Sequence, residues 1–68
     1  ADQRGQAQTL LYQGNVYSDL SKFDQARVCY ERAASLSTSL GDKREQAITL
    51  VADARLQVRR GEYQRALN

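Results

Sequence analysis

The chain has no histidine, no proline and no methionine, and a single cysteine, Cys29, among its 68 residues. Without histidine and with one thiol, the common zinc sites and the histidine-activated nucleophiles cannot be assembled. Cys29 has no partner for an internal disulfide and no imidazole to activate it. It reads as a small buried apolar residue of a reducing, cytoplasmic compartment. Long hydrophobic runs are missing too, the longest unbroken one being three residues. That excludes a transmembrane helix or a secretory signal within these residues. The four glycines, Gly5, Gly14, Gly41 and Gly61, are isolated, so none belongs to a phosphate-cradling loop. The chain opens on Ala1 and not on methionine, as expected of a piece cut from something longer.

What is present is an ordinary globular balance, with 41% apolar and 26% charged residues and a net charge of +2. A chain of this length buries only about 60% of its unfolded surface, so one small domain of modest stability is expected. Residues 1–40 carry four basic and four acidic side chains, whereas 41–68 carry six and four. The excess sits around Arg55, Arg59 and Arg60, a local patch and not the basic stripe of a nucleic-acid binder. Most of the carboxylates fall at helix starts or turns, where capping accounts for them without catalysis. No cofactor or metal pattern is present, and no enzymatic role is expected.

The informative feature is a repeat. The stretch RGQAQTL at Arg4 returns as REQAITL at Arg44, forty residues on, with five of seven letters identical. Extended outward, Asp2 aligns with Asp42, Gly14 with Ala54, Phe23 with Tyr63 and Ala26 with Ala66. A period of this size marks a solenoid unit. The units are 1–40, a complete helical hairpin, and 41–68, a truncated second one.

Each period reads as two helices. The first is predicted from about Gln3 to Leu20, on the spacing of Ala7, Leu10, Leu11, Gly14, Tyr17 and Leu20. Ser21 is predicted to cap the next helix, with Asp24 in its first turn, and that helix continues to Leu40. Its inner stripe is Phe23, Ala26, Cys29/Tyr30, Ala33, Leu36 and Leu40. Gly41 can close it in the left-handed conformation, and Asp42 with Glu45 forms a capping box for a third helix from Lys43 to Arg60. Gly61 is expected to break that helix and a fourth to begin near Glu62. Short connections make consecutive helices antiparallel neighbours. The expected fold class is all-α, built of antiparallel helix-turn-helix repeats: three helices plus the start of a fourth.

The string GNVYSDLSKFDQARVCYERA, Gly14 to Ala33, resembles a tetratricopeptide repeat. The family's small and aromatic positions fall on Gly14, Tyr17, Phe23, Ala26, Tyr30 and Ala33, with Leu10 at the opening large position. In the second unit they fall on Leu50, Ala54, Gly61, Tyr63 and Ala66. The resemblance implies an α-solenoid fragment. The forty-residue period, closed by Leu40-Gly41-Asp42 where the usual 34-residue unit closes on proline, is similar to the longer-helix variety of Pins/LGN-type adaptors. Gln13 and Asp53 replace the large apolar residue that the pattern places before its small one, and Gln57 replaces an aromatic.

In that family the concave face, made largely by the first helix of each unit, carries function. The resemblance puts Gln8, Leu11, Tyr12, Asn15, Ser18 and Asp19 there from the first unit. From the second it puts Ile48, Val51, Ala52, Arg55, Val58 and Arg59 there, beside a core-facing Ala47, Leu50 and Ala54. Asn15 can donate to and accept from an extended peptide backbone, or it is a solvated surface amide. Arg55 and Arg59, one turn apart, suit an acidic side chain or terminal carboxylate, or they are an ordinary charged face. Ile48, Val51 and Val58 form an apolar strip for a ligand, a neighbouring repeat or a second chain. Leu11 stands where the chaperone-binding relatives carry a lysine, so binding of heat-shock-protein tails is not expected.

The leading expectation is a scaffold or adaptor module binding a peptide or protein partner, acidic in character. The alternative is self-assembly through exposed repeat ends, because solenoids generally need about three repeats or caps. The near-balanced charge argues against a nucleic-acid-binding module, and no membrane partner is expected.

Overall fold

A computed structural model describes residues 3–67, which form three helices: α1 (Gln3–Asp19), α2 (Phe23–Leu40) and α3 (Lys43–Leu67). They run antiparallel in succession with α2 in the middle, and the molecule measures 43 × 19 × 12 Å. No helix among the described residues is long and apolar enough to cross a membrane.

α1 and α2 meet through small residues. α1 buries Ala7, Gly14 and Ser18, and α2 buries Ala26, Cys29, Tyr30, Ala33 and Ser37. The buried Ser37 hydroxyl donates to the Ala33 carbonyl at 2.8 Å, and no buried side-chain nitrogen or oxygen among the described residues lacks a partner. Tyr30 lies against Gly14 so closely that a Cβ on Gly14 would stand 2.5 Å from the ring. Ala26, Tyr30 and Leu56 form the core, with Leu11, Tyr17, Phe23 and Ala52 packed around them. Leu40, predicted on the inner stripe, is exposed.

The two turns are built alike. The Ser21 and Lys22 amides donate to the Ser18 and Tyr17 carbonyls at 3.0 and 2.8 Å. The Gly41 and Asp42 amides donate to Thr38 and Ser37 at 3.1 and 3.0 Å. Both are Schellman closures, and their pivots are left-handed, with φ of 60° at Ser21 and 67° at Gly41. Ser21 therefore does not cap α2. It is spent closing α1, and the cap position falls to Lys22, which makes no side-chain cap hydrogen bond.

The α3 start differs from the predicted box in one arm. The Glu45 amide donates to Asp42 Oδ1 at 3.2 Å, but the Asp42 amide is already committed to Ser37, leaving Glu45 nothing to reciprocate with. Asp2, aligned with Asp42 in the repeat, lies outside the described residues.

The largest departure is at Gly61. The predicted third helix does not stop there, and the separate fourth helix is not formed: α3 continues through Gly61 to Leu67. Propagation adds a hydrogen bond per residue, whereas a new helix needs a fresh nucleus, and one glycine costs a helix only about 1 kcal/mol. Tertiary contacts hold the extension. Tyr63 meets Phe23 edge-on with centroids 5.4 Å apart, and Arg60 Nη1 lies 3.8 Å from Asp24. Consequently the expected core-facing stripe of the second unit is bare. Ala47 and Ala54 are exposed and Leu50 is 68% exposed, while Thr49 and Leu56, on the opposite side of α3, are buried. In the first unit the equivalent Ala7 and Gly14 are covered by α2, and among the described residues α3 has no such helix folded back on it.

Candidate functional site

α1 and α3 both pack on α2 and leave a groove of about 590 Å³ between them. One wall is α1, with Leu11, Asn15, Ser18 and Asp19. The other is α3, with Ile48, Val51, Arg55 and Arg59. Helical geometry puts these positions in line, since steps of three and four residues return to one face. Leu56, Ala52 and Tyr30 lie deeper, which makes the base largely apolar.

Nine of the twelve residues that the resemblance puts on the concave face line this groove: Leu11, Asn15, Ser18, Asp19, Ile48, Val51, Ala52, Arg55 and Arg59. Three do not. Tyr12 is 70% exposed outside it, and Val58 is 59% exposed toward the bare stripe, because the step from Arg55 to Arg59 stays on the groove side while Val58 falls short of it. Gln8 belongs to a neighbouring hollow with Arg4, Asp42, Arg44 and Glu45. Tyr30 was assigned only to the core. Its polar tip reaches the groove because Gly14 has no side chain to block it, so the adjacency of Gly14 and Asn15 was the signal available.

The polar atoms are largely committed to each other. The Tyr30 hydroxyl donates to Asn15 Oδ1 at 2.6 Å. Tyr30 is 3% exposed, and burial, reinforced by the charge of Asp19 and partly offset by Arg59, raises the pKa of its phenol. The phenol therefore stays a neutral donor. Arg59 Nη1 crosses from α3 to α1, donating to Asp19 Oδ1 at 3.0 Å and Ser18 Oγ at 3.2 Å. A similar crossing joins Arg4 to Asp42 at 3.4 Å toward the other end of the two helices. Both pairs have an exposed arginine, so each contributes at most about 1 kcal/mol. Their effect is to set where α1 and α3 stand relative to one another.

The match to known proteins agrees with this geometry. The family model described as tetratricopeptide repeat matches residues 5–68. No curated protein and no solved structure matches the chain.

Proposed function

The chain belongs to the tetratricopeptide-repeat family, generally a protein–protein interaction module, and we propose that it binds a peptide or protein segment in the α1–α3 groove without catalysis of its own. The observation behind this reading is the groove itself. Apolar side chains that water would leave exposed, Ile48 at 41% and Val51 at 53%, stand beside Asn15 and Arg55 in a concave strip. An extended segment fits it, since the α3 wall from Ala47 to Arg59 is about 18 Å long, room for about five extended residues. The family match is to the repeat in general, and a Pins/LGN-type placement has only the forty-residue period behind it. Assignment to a reducing, cytoplasmic compartment rests on the lone Cys29.

The test is partner binding by Val51→Asp, which puts a charge into the apolar wall. Binding is expected to disappear with helical circular dichroism unchanged. Undiminished binding would move the partner site off this groove.

A second reading is self-assembly, favoured by the bare stripe of Ala47, Leu50, Ala54 and Val58 along α3. Sedimentation over a range of concentrations distinguishes it, because a monomer throughout removes the idea.

A further inference from the structure

The bare stripe of α3 is not a copy of the α1 face that α2 covers. Ala7, Gly14 and Ser18 are buried, whereas Ala47, Ala54 and Val58, forty residues on, are exposed. Two of the three residue types also change. Gly14 admits the Tyr30 ring, which would stand 2.5 Å from a Cβ there, and Ala54 carries that Cβ. A helix docking on α3 as α2 docks on α1 would therefore meet a methyl group where α1 leaves a gap. Val58 in place of Ser18 makes the stripe more apolar than its counterpart.

In reverse order the stripe complements itself. A second α3, antiparallel and centred near residue 52, sets Leu50 against Ala54 and Ala47 against Val58. Each contact occurs twice in a two-fold pair, so every large side chain meets a small one. The same reversal brings Lys43 and Arg44, which open α3, to Glu62 near its end. Among the described residues none of these three makes an ion pair within the chain. A parallel pairing would set leucine on leucine and Glu62 on Glu62.

We propose, on the self-assembly reading, that the occupant of the stripe is the α3 of a second copy, laid antiparallel across a two-fold axis near residue 52. Leu50 and Ala54 form its centre, and Lys43 and Arg44 meet Glu62 at both ends. The contact from Lys43 to Glu62 is about 28 Å long, a single helix pair and less than a permanent dimer buries. The dimer is accordingly weak. Its unfavourable feature is Asp53, half-buried at the rim of the stripe, which flanks the axis in both copies. Ile48, Arg55 and Arg59 lie on another side of α3, so the α1–α3 groove stays open in the dimer.

Sedimentation equilibrium of the 68-residue chain from about 10 µM to 1 mM tests this, the range of a weak interface. A monomer–dimer equilibrium with nothing larger is expected, because a two-fold contact closes on itself. Leu50→Asp should leave a monomer with unchanged helical circular dichroism, since Leu50 is exposed in the monomer. Glu62→Lys should raise the dissociation constant about ten-fold, through two lost pairs and the repulsion replacing them. Lys43→Glu with Arg44→Glu should do the same, and all three together should restore the dimer. Asp53→Asn should tighten it. In a Cys29→Ala background, Ala47→Cys and Val58→Cys should form a disulfide only when the two variants are mixed. Each lies about 16 Å along the axis from its own counterpart, too far to bridge. A dimer that Leu50→Asp abolishes, but that cross-links like with like and shows no charge-swap rescue, overturns the antiparallel assignment and leaves assembly through the stripe standing. Larger species overturn the two-fold axis in favour of head-to-tail stacking. A monomer throughout, or a dimer indifferent to Leu50→Asp, removes assembly through this stripe and the inference with it.

Discussion

Phe23 and Tyr63 occupy the same place in consecutive forty-residue units, and their rings meet edge to face, 5.4 Å apart and inclined by 68°. Asp19 and Arg59 are also forty residues apart and are bonded at 3.0 Å. Equivalent positions touch because the second unit lies against the first, so one register supplies both sides of each contact. Replacing Tyr63 by Ala is expected to destabilise the fold by about 1–2 kcal/mol. A double-mutant cycle with Phe23→Leu, read by urea unfolding, should return a coupling of about 0.5–1.5 kcal/mol. Zero coupling would mean that the end of α3 does not rest on the first unit.

The same register sets Ser21 opposite Gly61, and here the two units diverge. Ser21 is left-handed at 60°, whereas Gly61 is helical with open space around its missing Cβ. Gly61→Ala is expected to stabilise a continuous α3 by roughly 0.5–1 kcal/mol. Ser21→Gly should stabilise by a similar amount, about 1 kcal/mol, by removing a side chain from a left-handed residue. Gly41→Ala should do the reverse. Thermal unfolding of the three variants checks the pattern, and a destabilising Gly61→Ala would place a turn at residue 61.

Gly14→Ala is expected to be costly despite alanine's better helix propensity. The new methyl would lie 2.5 and 2.7 Å from Tyr30 Cε1 and Cδ1, so the buried ring must leave its place in the core. Overpacking of this kind typically costs about 1–3 kcal/mol. Chemical denaturation measures it, and a neutral result would show that α1 and α2 can separate freely.

The phenol of Tyr30 links stability to alkaline pH. Its pKa is raised above the usual value of 10.0, so the folded state keeps the proton where the unfolded chain has lost it. The unfolded state then binds fewer protons, and stability falls as pH rises above about 10. Tyr30→Phe removes this dependence while leaving the Asn15 oxygen without its donor, so the variant should be less stable at neutral pH but flatter above pH 10. Unfolding midpoints across that range test the sign.

Much of the architecture was readable because it is local. The left-handed closure at Gly41, the Asp42 carboxylate cap on the Glu45 amide and the small-and-aromatic register of Gly14, Ala26 and Tyr30 each depend on local sequence. Ser21 was misread for the same reason. A serine before a helix looks like a cap until the preceding helix needs a left-handed residue to end on. The groove was legible for the nine positions whose spacing keeps them on one side of α1 or α3. Val58 was not, since spacing alone gives a stripe its width and not its edge.

The sequence by itself therefore determined an all-helical repeat with a forty-residue register, because hydrophobic periodicity, glycine conformation and capping act within a turn or two of chain. Tertiary structure decided which face of α3 is covered, whether Gly61 stays helical, and that the oxygen of Asn15 is spent on Tyr30 while Arg55 is left free. Those outcomes depend on what stands opposite each residue in space. A buried hydroxyl or a crossing arginine is satisfied by the nearest partner, and the nearest partner here lies 15 to 41 residues away along the chain.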